Sequence, residues 1–266
     1  MARVSSDDER GAVYVEFLIA FFPIFLLFLA LCQLALVGAA EAVVRHAAYA
    51  AVRSAIVVLH DDPKKFDGAE RGSLVEGKAA RMSNLDAITS KLGIRRVSKR
   101  RSKRSAIVDS IVSQQGARMV PIQTAAFLPL LALAPNEGSV LESSDSVSRA
   151  LVAASDQQLG FAAEYTRAAA IVTLHDSEDS QELSMDPVQS HAPVTTRVTY
   201  LFHCTIPVVR TIMCRTLESI ATDGSLGMAL AYKTKGWIRA DARFKLLTAT
   251  ATLPNQGASY LSESAE

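Results

Sequence analysis

The sequence predicts an α+β protein in which one long N-terminal helix crosses a membrane and precedes a domain with an antiparallel sheet. Residues 17–40 contain no charged side chain, and the alanine-rich stretch after them keeps apolar residues at helical spacing. Later segments are rich in Val, Thr, Tyr and Phe, as strands are. A chain of 266 residues is long enough for one or two modest domains with a core.

The apolar segment from Phe17 to Ala40 has the length of a membrane span, and Gln33 is its only strongly polar side chain. At about 1.5 Å per residue this segment forms a helix roughly 36 Å long, against a hydrocarbon core of about 30 Å. A helix also satisfies its own backbone hydrogen bonds, as lipid requires. We therefore predict one transmembrane helix, within residues 12–40.

A cleaved secretory signal peptide explains the same segment less well. Such a peptide has a basic start, an apolar core of about 7–15 residues and a cleavage site with small residues. The leader MARVSSDDERG carries three acidic residues beside its two arginines. Small residues do follow the apolar run, from Gly38 to Ala40, but the run before them is of membrane length. The length favours a helix that remains in the membrane.

Residues 41–60 continue the helical pattern as an extended amphipathic helix. Apolar side chains recur at helical spacing with charged side chains between them, and alanine favours helix. Asp61, Asp62 and Pro63 are expected to end it. Two interpretations remain open: one helix over residues 13–59, half in lipid and half a packing stalk, or a transmembrane helix followed by a separate core helix. Small residues here allow another helix to approach closely.

The rest of the chain, residues 61–253, is predicted to form the α+β domain. Residues 61–72 are expected to form a loop, and helices are expected over 73–92 and 105–119. The segment FLPLLALAP, residues 127–135, is too short to span a membrane, and we expect a buried segment interrupted by Pro129.

Three segments of this domain are predicted as strands: Glu164–Leu174, Val194–Phe202 and Ala242–Leu253. In the second, alternate residues starting at Val194 share one face, and Arg197 points the other way. Residues 254–266 are expected to form a frayed C-terminal tail.

A basic run lies between the two expected helices of the domain, with no acidic residue inside it. It consists of Arg95, Arg96, Lys99, Arg100, Arg101, Lys103 and Arg104. Such runs bind polyanions or acidic lipid headgroups, or they form a solvated loop, and both interpretations stay open. The run contains no aromatic residue on which bases could stack, so single-stranded nucleic acid is not an expected partner.

The three cysteines are too few for a disulfide scaffold, but one bridge fits an oxidising compartment. A disulfide between Cys204 and Cys214 would close a small loop around Pro207, and two reduced core cysteines are the alternative. His203 with this pair supplies only three soft ligands, whereas a structural zinc site uses four, so no metal site is expected. Cys32 is expected to behave as a small apolar residue.

Catalytic motifs are missing from the sequence. It has no Gly-x-Ser-x-Gly, no phosphate-binding loop, no dinucleotide fingerprint and no His-Glu-x-x-His, and its five histidines are scattered. We therefore expect a protein that is not an enzyme, with no catalytic residue and no cofactor.

Glu16 lies at the start of the apolar segment, where an isolated charge is costly. The order Gly11, four residues, Glu16 and Phe17 resembles the signature cut by prepilin peptidase. Cleavage after Gly11 makes Ala12 the first residue and Glu16 the fifth. In that family this Glu is thought to pair with a neighbouring subunit's N-terminal amine, whose pKa of about 8 leaves it cationic at neutral pH. The alternative is that Glu16 merely complements the helix dipole.

Residues 10–55, RGAVYVEFLIAFFPIFLLFLALCQLALVGAAEAVVRHAAYAAVRSA, resemble the TadE/TadG-like pseudopilins of tight-adherence pilus systems. The shared features are the Gly, the Glu-Phe pair, an early proline (Pro23) and an alanine-rich continuation with arginine. VTYLFHCTIPVV, residues 198–209, is similar to the late strand and proline segment of such proteins. The resemblance implies a cytoplasmic leader over residues 1–11, an extracytoplasmic domain and the bacterial inner membrane.

The orientation of the helix follows from that resemblance, because the flanking charges do not decide it. Arg3 and Arg10 precede the helix, and Arg45 and Arg53 follow it. The opposite orientation would place the basic run in the cytoplasm.

Three functions are compatible with the sequence. The favoured one is a structural and assembly subunit of a tight-adherence pilus or related secretion apparatus. Its partners would be membrane lipid, prepilin peptidase, other pilins or pseudopilins and pilus-assembly proteins. The second is a membrane-anchored module that holds polyanions with the basic run. The third is an anchored enzyme without a recognisable motif.

Overall fold

The structure is a computed structural model that describes residues 6–66, 68–69, 71–72, 116–136, 140, 155–175, 193–222, 230, 234, 238 and 241–255. Several predicted features lie outside these residues. They are the helix over 73–92, most of the helix over 105–119, the basic run and the C-terminal tail beyond Asn255.

The protein begins with one long helix, α1, from Ser6 to Val58. This confirms the long apolar N-terminal helix and the interpretation in which it continues without a break. Pro23 lies inside α1, where it removes one backbone hydrogen bond without ending the helix. After α1, the Asp62 side chain accepts a hydrogen bond from the Lys64 backbone N–H and caps a short 3-10 turn, Pro63–Lys65.

The described part of the domain contains four shorter helices and four strands. The helices are α2 (Met119–Leu130), α3 (Ser155–Ala169), α4 (Val209–Met213) and α5 (Leu217–Ala221). The strands are β1 (Ala170–His175), β2 (Val194–His203), β3 (Arg215–Thr216) and β4 (Arg243–Leu253). These elements confirm the α+β class with a small antiparallel sheet.

The sheet has the strand order β1-β2-β4-β3, and every neighbouring pair is antiparallel. Val198 at its centre is paired with Val172 on one side and with Ala249 on the other. The hydroxyl groups of Thr195 and Thr252 also lie 2.8 Å apart across β2 and β4. Because β-branched residues pack well on a pleated surface, the two long strands form close to where the sequence predicts them.

The C-terminal half of α1 packs on the sheet and on α2. Its buried face is rich in alanine, and the buried members are Ala40, Ala47, Ala48, Ala51 and Ala55. The Thr196 hydroxyl donates a hydrogen bond of 2.9 Å to the Ala48 carbonyl oxygen, which shows how closely β2 approaches. The small-residue face, which was predicted to allow another helix to approach closely, is therefore covered by the protein's own domain.

The predicted strand Glu164–Leu174 is wrong in its first part. Residues up to Ala169 belong to α3, and the strand begins at Ala170. Phe161, Tyr165 and Ala169 recur every four residues and are all buried, so helical spacing puts them on one core-facing side. The Tyr165 hydroxyl also donates a hydrogen bond to the Leu201 carbonyl oxygen at 2.6 Å. These contacts with a distant strand outweigh the local preference of the segment for a β-strand.

The segment FLPLLALAP is only partly buried and is not cut short by its proline. Pro129 lies in the last turn of α2, and a 3-10 turn, Leu131–Leu133, continues the chain. Phe127 and Leu130 are buried, whereas Leu128 is exposed. A proline in the final turn of a helix still costs one backbone hydrogen bond, but here the helical backbone continues past it into the 3-10 turn.

Arg118, just before α2, is completely buried and closes the end of α1. Its guanidinium donates to the Val58 carbonyl oxygen, to that of Asp61 at 3.1 Å and to that of Ala69 at 2.9 Å. The Phe66 ring lies 4.6 Å from the guanidinium carbon. The last carbonyl groups of a helix have no partners within it, so a cation here suits both their hydrogen bonding and the helix dipole.

Candidate functional site: the exposed half of the long helix

Residues 14–32 of α1, which we call the exposed apolar segment, are not covered by the rest of the protein. No side chain from Tyr14 to Cys32 is buried. Within the described ranges, α1 is the one helix that is long and apolar enough to cross a membrane, and its most apolar part is not buried inside the domain. A core helix of similar composition would be buried by its own domain, so this segment has the character of a membrane anchor.

Aromatic rings line one side of the exposed apolar segment. The rings of Phe17 and Phe21 are stacked with centroids 5.5 Å apart, and those of Phe21 and Phe25 are 5.6 Å apart. Side chains four residues apart lie above one another on a helix, so this stack runs along a single face. Contiguous apolar surface of this extent marks a site for lipid or for another protein.

The residues of the predicted processing signal lie in the first turns of α1. Gly11 and Ala12 are helical, and Glu16 and Phe17 have exposed side chains. Glu16 has no hydrogen bond or ion pair with another described residue. Gly11 and Glu16 are separated by about 7.5 Å along the axis, at about 1.5 Å per residue.

Gln33 is the first buried residue of α1 among those whose side chains the structure describes. It is fully buried, and its side-chain oxygen accepts a hydrogen bond of 3.2 Å from the Ile206 backbone N–H. Beyond Gln33, one face of α1 is buried by the domain as far as Ala55, and Leu59 just after the helix is buried too. These contacts begin inside the segment predicted to lie in the membrane, before its expected end at Ala40. The apolar length left free of the domain is therefore roughly 28 Å, at about 1.5 Å per residue.

Cys204 and Cys214 form a disulfide next to this contact. Both cysteines are buried, and Cys32 is the free cysteine, half-buried on α1. Because both sulfur atoms are used in the bridge, they are not metal ligands beside His203. In the ranges that the structure describes, no group of three or more His, Cys, Asp or Glu side chains is placed to hold a metal ion.

Removal of this disulfide is expected to lower the free energy of unfolding by about 3 kcal/mol, because the bridge restricts a short loop in the unfolded chain. The bridge spans a sequence separation of 10 residues. The double variant Cys204→Ser/Cys214→Ser should show this loss in chemical denaturation of the detergent-solubilised full chain. Cys32→Ser is the matched control and should change stability little. Equal stability of the parent and the double variant would contradict the prediction.

The basic run, Arg95 to Arg104, lies outside the described residues, so the structure places none of its seven side chains. The polyanion-binding interpretation therefore remains a prediction from the sequence.

Two features of the site were not recognised in the sequence. One is the role of Gln33, for which the available signal was a single amide inside an apolar run. The other is the turn at Val208, which has a φ of 67° and ψ of −61°. No glycine marks this turn, so the sequence carried no signal for it.

Comparison of the chain with protein-family models, with curated proteins and with solved structures finds no match in any of the three.

Proposed function

We propose that the protein is a membrane-anchored, pseudopilin-like subunit with a structural and assembly role in a tight-adherence pilus or a related secretion apparatus. The observation that carries this proposal is the division of α1 at Gln33. An exposed apolar segment of roughly membrane length precedes it, and a segment packed into an α+β domain follows it without a break.

Glu16 supports an assembly role because nothing in the described part of the chain neutralises it. A lone carboxylate at the edge of a bilayer costs a few kcal/mol and tends to be paired and functional. After cleavage behind Gly11, the new amine of a neighbouring chain at Ala12 would be a suitable partner. In this proposal Glu16 sets the register between subunits, and the domain contacts the other assembly proteins.

The proposal places the helix in the bacterial inner membrane, with the leader in the cytoplasm and the domain outside it. The Cys204–Cys214 disulfide is consistent with that side, since disulfides persist in oxidising compartments. Prepilin peptidase, other pilins and pilus-assembly proteins are the proposed partners.

The second candidate function is a membrane-anchored module that holds a polyanion with the basic run. This module would use the same membrane anchor, but the assignment of its binding residues rests on the sequence alone. Charge reversal within Arg95–Arg104 tests it, because loss of polyanion binding with normal membrane insertion would favour this function.

The leader is expected to be removed, so that the mature chain starts at Ala12. Mass spectrometry of the membrane-extracted protein, expressed with and without a prepilin peptidase, measures this directly. Peptidase-dependent loss of residues 1–11 would support the pseudopilin proposal. A chain that keeps Met1 in the presence of an active peptidase would contradict it and favour a plain membrane anchor.

Variants of two glycines of α1 sharpen this experiment. Gly11→Leu should abolish cleavage, because the peptidase signature requires a small residue before the cut. Gly38→Ala is the matched control, since a Cβ atom added at Gly38 meets no heavy atom within 4 Å. The control chain should be processed like the parent.

A further inference from the structure

The chain between the two bridged cysteines, residues 205–213, carries an apolar surface of its own. We call it the disulfide loop. Ile212 is 77% exposed and Val208 is 51% exposed. Outside α1, they are two of the three large apolar side chains that the described part of the protein leaves exposed, with Leu128 as the third. Two such side chains in one short loop indicate a contact surface.

The backbone of the disulfide loop is held in a conformation that exposes these side chains. Val208 has a φ of 67°, and the Val209 N–H donates to the Pro207 carbonyl oxygen at 2.8 Å, which forms a γ-turn. A β-branched residue is rarely found at positive φ, and such a strained backbone persists only where its surroundings impose it. Here the disulfide at both ends and the buried Val209 side chain hold the turn.

The disulfide loop lies at the level where the exposed apolar segment of α1 ends. The Ile206 N–H is bonded to Gln33, and α4, which belongs to the loop, contacts α1. On α1 itself, Leu34 and Leu36 are also exposed, so the apolar surface of the helix extends past Gln33. Helix and loop thus present their apolar side chains at the same height.

We propose that the disulfide loop inserts Val208 and Ile212 into the lipid interface, as a second membrane contact beside α1. The proposal rests on the membrane anchoring proposed above. If residues 14–32 span the bilayer, their length of roughly 28 Å puts the edge of the hydrocarbon core close to Gln33, and therefore close to the loop. Two contacts would fix the tilt and height of the domain on the membrane, which a single helix leaves free.

Tryptophan fluorescence quenched by brominated lipid tests this contact. The full chain is reconstituted in phosphatidylcholine vesicles that carry bromine near the headgroup or deep in the acyl chain. The signal of the parent chain, whose Trp237 is the single native tryptophan, is subtracted. Ile212→Trp probes the loop, and its exposed position keeps the substitution out of the core. An unchanged midpoint of chemical denaturation, together with a disulfide confirmed by mass, shows that the variant is folded.

Two further variants serve as references. Phe22→Trp reports on the middle of the exposed apolar segment. Thr250→Trp reports on an exposed position of β4, paired with Arg197. The neighbouring Thr196 contacts α1 at Ala48, about 22 Å farther along the helix than Gln33 at about 1.5 Å per residue.

The expected result is that Ile212→Trp is quenched at least about twofold more than Thr250→Trp, most strongly by the shallow bromines. Phe22→Trp should be quenched most strongly by the deep bromines. Quenching of Phe22→Trp without quenching of Ile212→Trp would overturn the loop contact and leave the anchor intact. An unquenched Phe22→Trp would overturn the anchor and the loop contact together. The emission of Ile212→Trp could instead shift with the protein-to-lipid ratio and not respond to the brominated lipids. That result would mean that another copy of the chain covers the loop, and it would also overturn the proposal.

Discussion

Replacing Arg118 by methionine is expected to lower the free energy of unfolding by about 3–5 kcal/mol, a large fraction of the total stability of a typical domain. Methionine preserves most of the side-chain volume but donates no hydrogen bond. The carbonyl groups of Val58, Asp61 and Ala69 then lose the hydrogen bonds of the guanidinium, and the Val58 carbonyl keeps only a bond of 3.4 Å from the Asp61 backbone N–H. The bond to Ala69 is buried and the bonds to Val58 and Asp61 are part-buried. Because a buried acceptor without a partner costs about 1–3 kcal/mol, the three lost bonds together outweigh the relief of no longer burying a charge.

Chemical denaturation of the detergent-solubilised full chain measures this loss. Arg118→Lys should recover only part of the stability, because lysine is cationic but lacks the planar fork that reaches several carbonyl groups at once. Arg45→Met is the control, because Arg45 is exposed on α1. Its replacement should change the free energy of unfolding by no more than about 0.5 kcal/mol. If Arg118→Met and Arg45→Met are equally mild, Arg118 does not hold the end of α1.

Acid is expected to destabilise the domain through His203, by up to about 3 kcal/mol between pH 6.5 and pH 4. Burial lowers the pKa of His203 to about 4, helped by the nearby cation of Arg210 and opposed by Asp241. Neither ring nitrogen has a hydrogen-bond partner among the described residues, and the ring lies 5.4 Å from that of Phe244. The folded site therefore suits the neutral imidazole and not the cation.

The sign of the pH dependence follows from proton binding. Between pH 6.5 and pH 4 the unfolded chain binds a proton at His203, because its pKa there is the ordinary value of about 6.5, while the folded chain does not. The stability from the neutral imidazole is complete above pH 6.5 and is lost as the pH falls towards 4. Denaturation curves at several pH values in this window measure the loss.

Two histidine variants separate this effect from the titration of carboxylates. His203→Met should lose less free energy of unfolding between pH 6.5 and pH 4 than the parent, because methionine does not titrate. The difference between the two chains is the part of the loss that comes from His203. His46→Met, which replaces an exposed histidine of α1 in the same way, is the matched control variant. A parent and a His203→Met variant that lose stability in parallel would show that His203 is protonated without cost in the fold.

Composition and periodicity were sufficient to predict the long helix and the two central strands. The uncharged run from Phe17 and the alanine-rich stretch after it form one helix, because each needs only local backbone hydrogen bonds and an apolar face. The β-branched residues of Val194–His203 and Arg243–Leu253 form adjacent strands close to their predicted limits. The candidate processing residues Gly11 and Glu16 were also visible in the sequence, through spacing alone.

Contacts between residues that are distant in the sequence set the features that local patterns did not predict. Glu164 to Ala169 are helical because Tyr165 packs beside Tyr200 and bonds to Leu201, partners more than 30 residues away. The free part of α1 ends at Gln33 because its amide meets Ile206, at a separation of 173 residues. Local preferences are worth only tenths of a kcal/mol to about 1 kcal/mol per residue, so burial and hydrogen bonding across the fold override them. The local sequence thus determined the long apolar helix, whereas tertiary packing set the limit of its exposed segment and the conformation of the loop beside it.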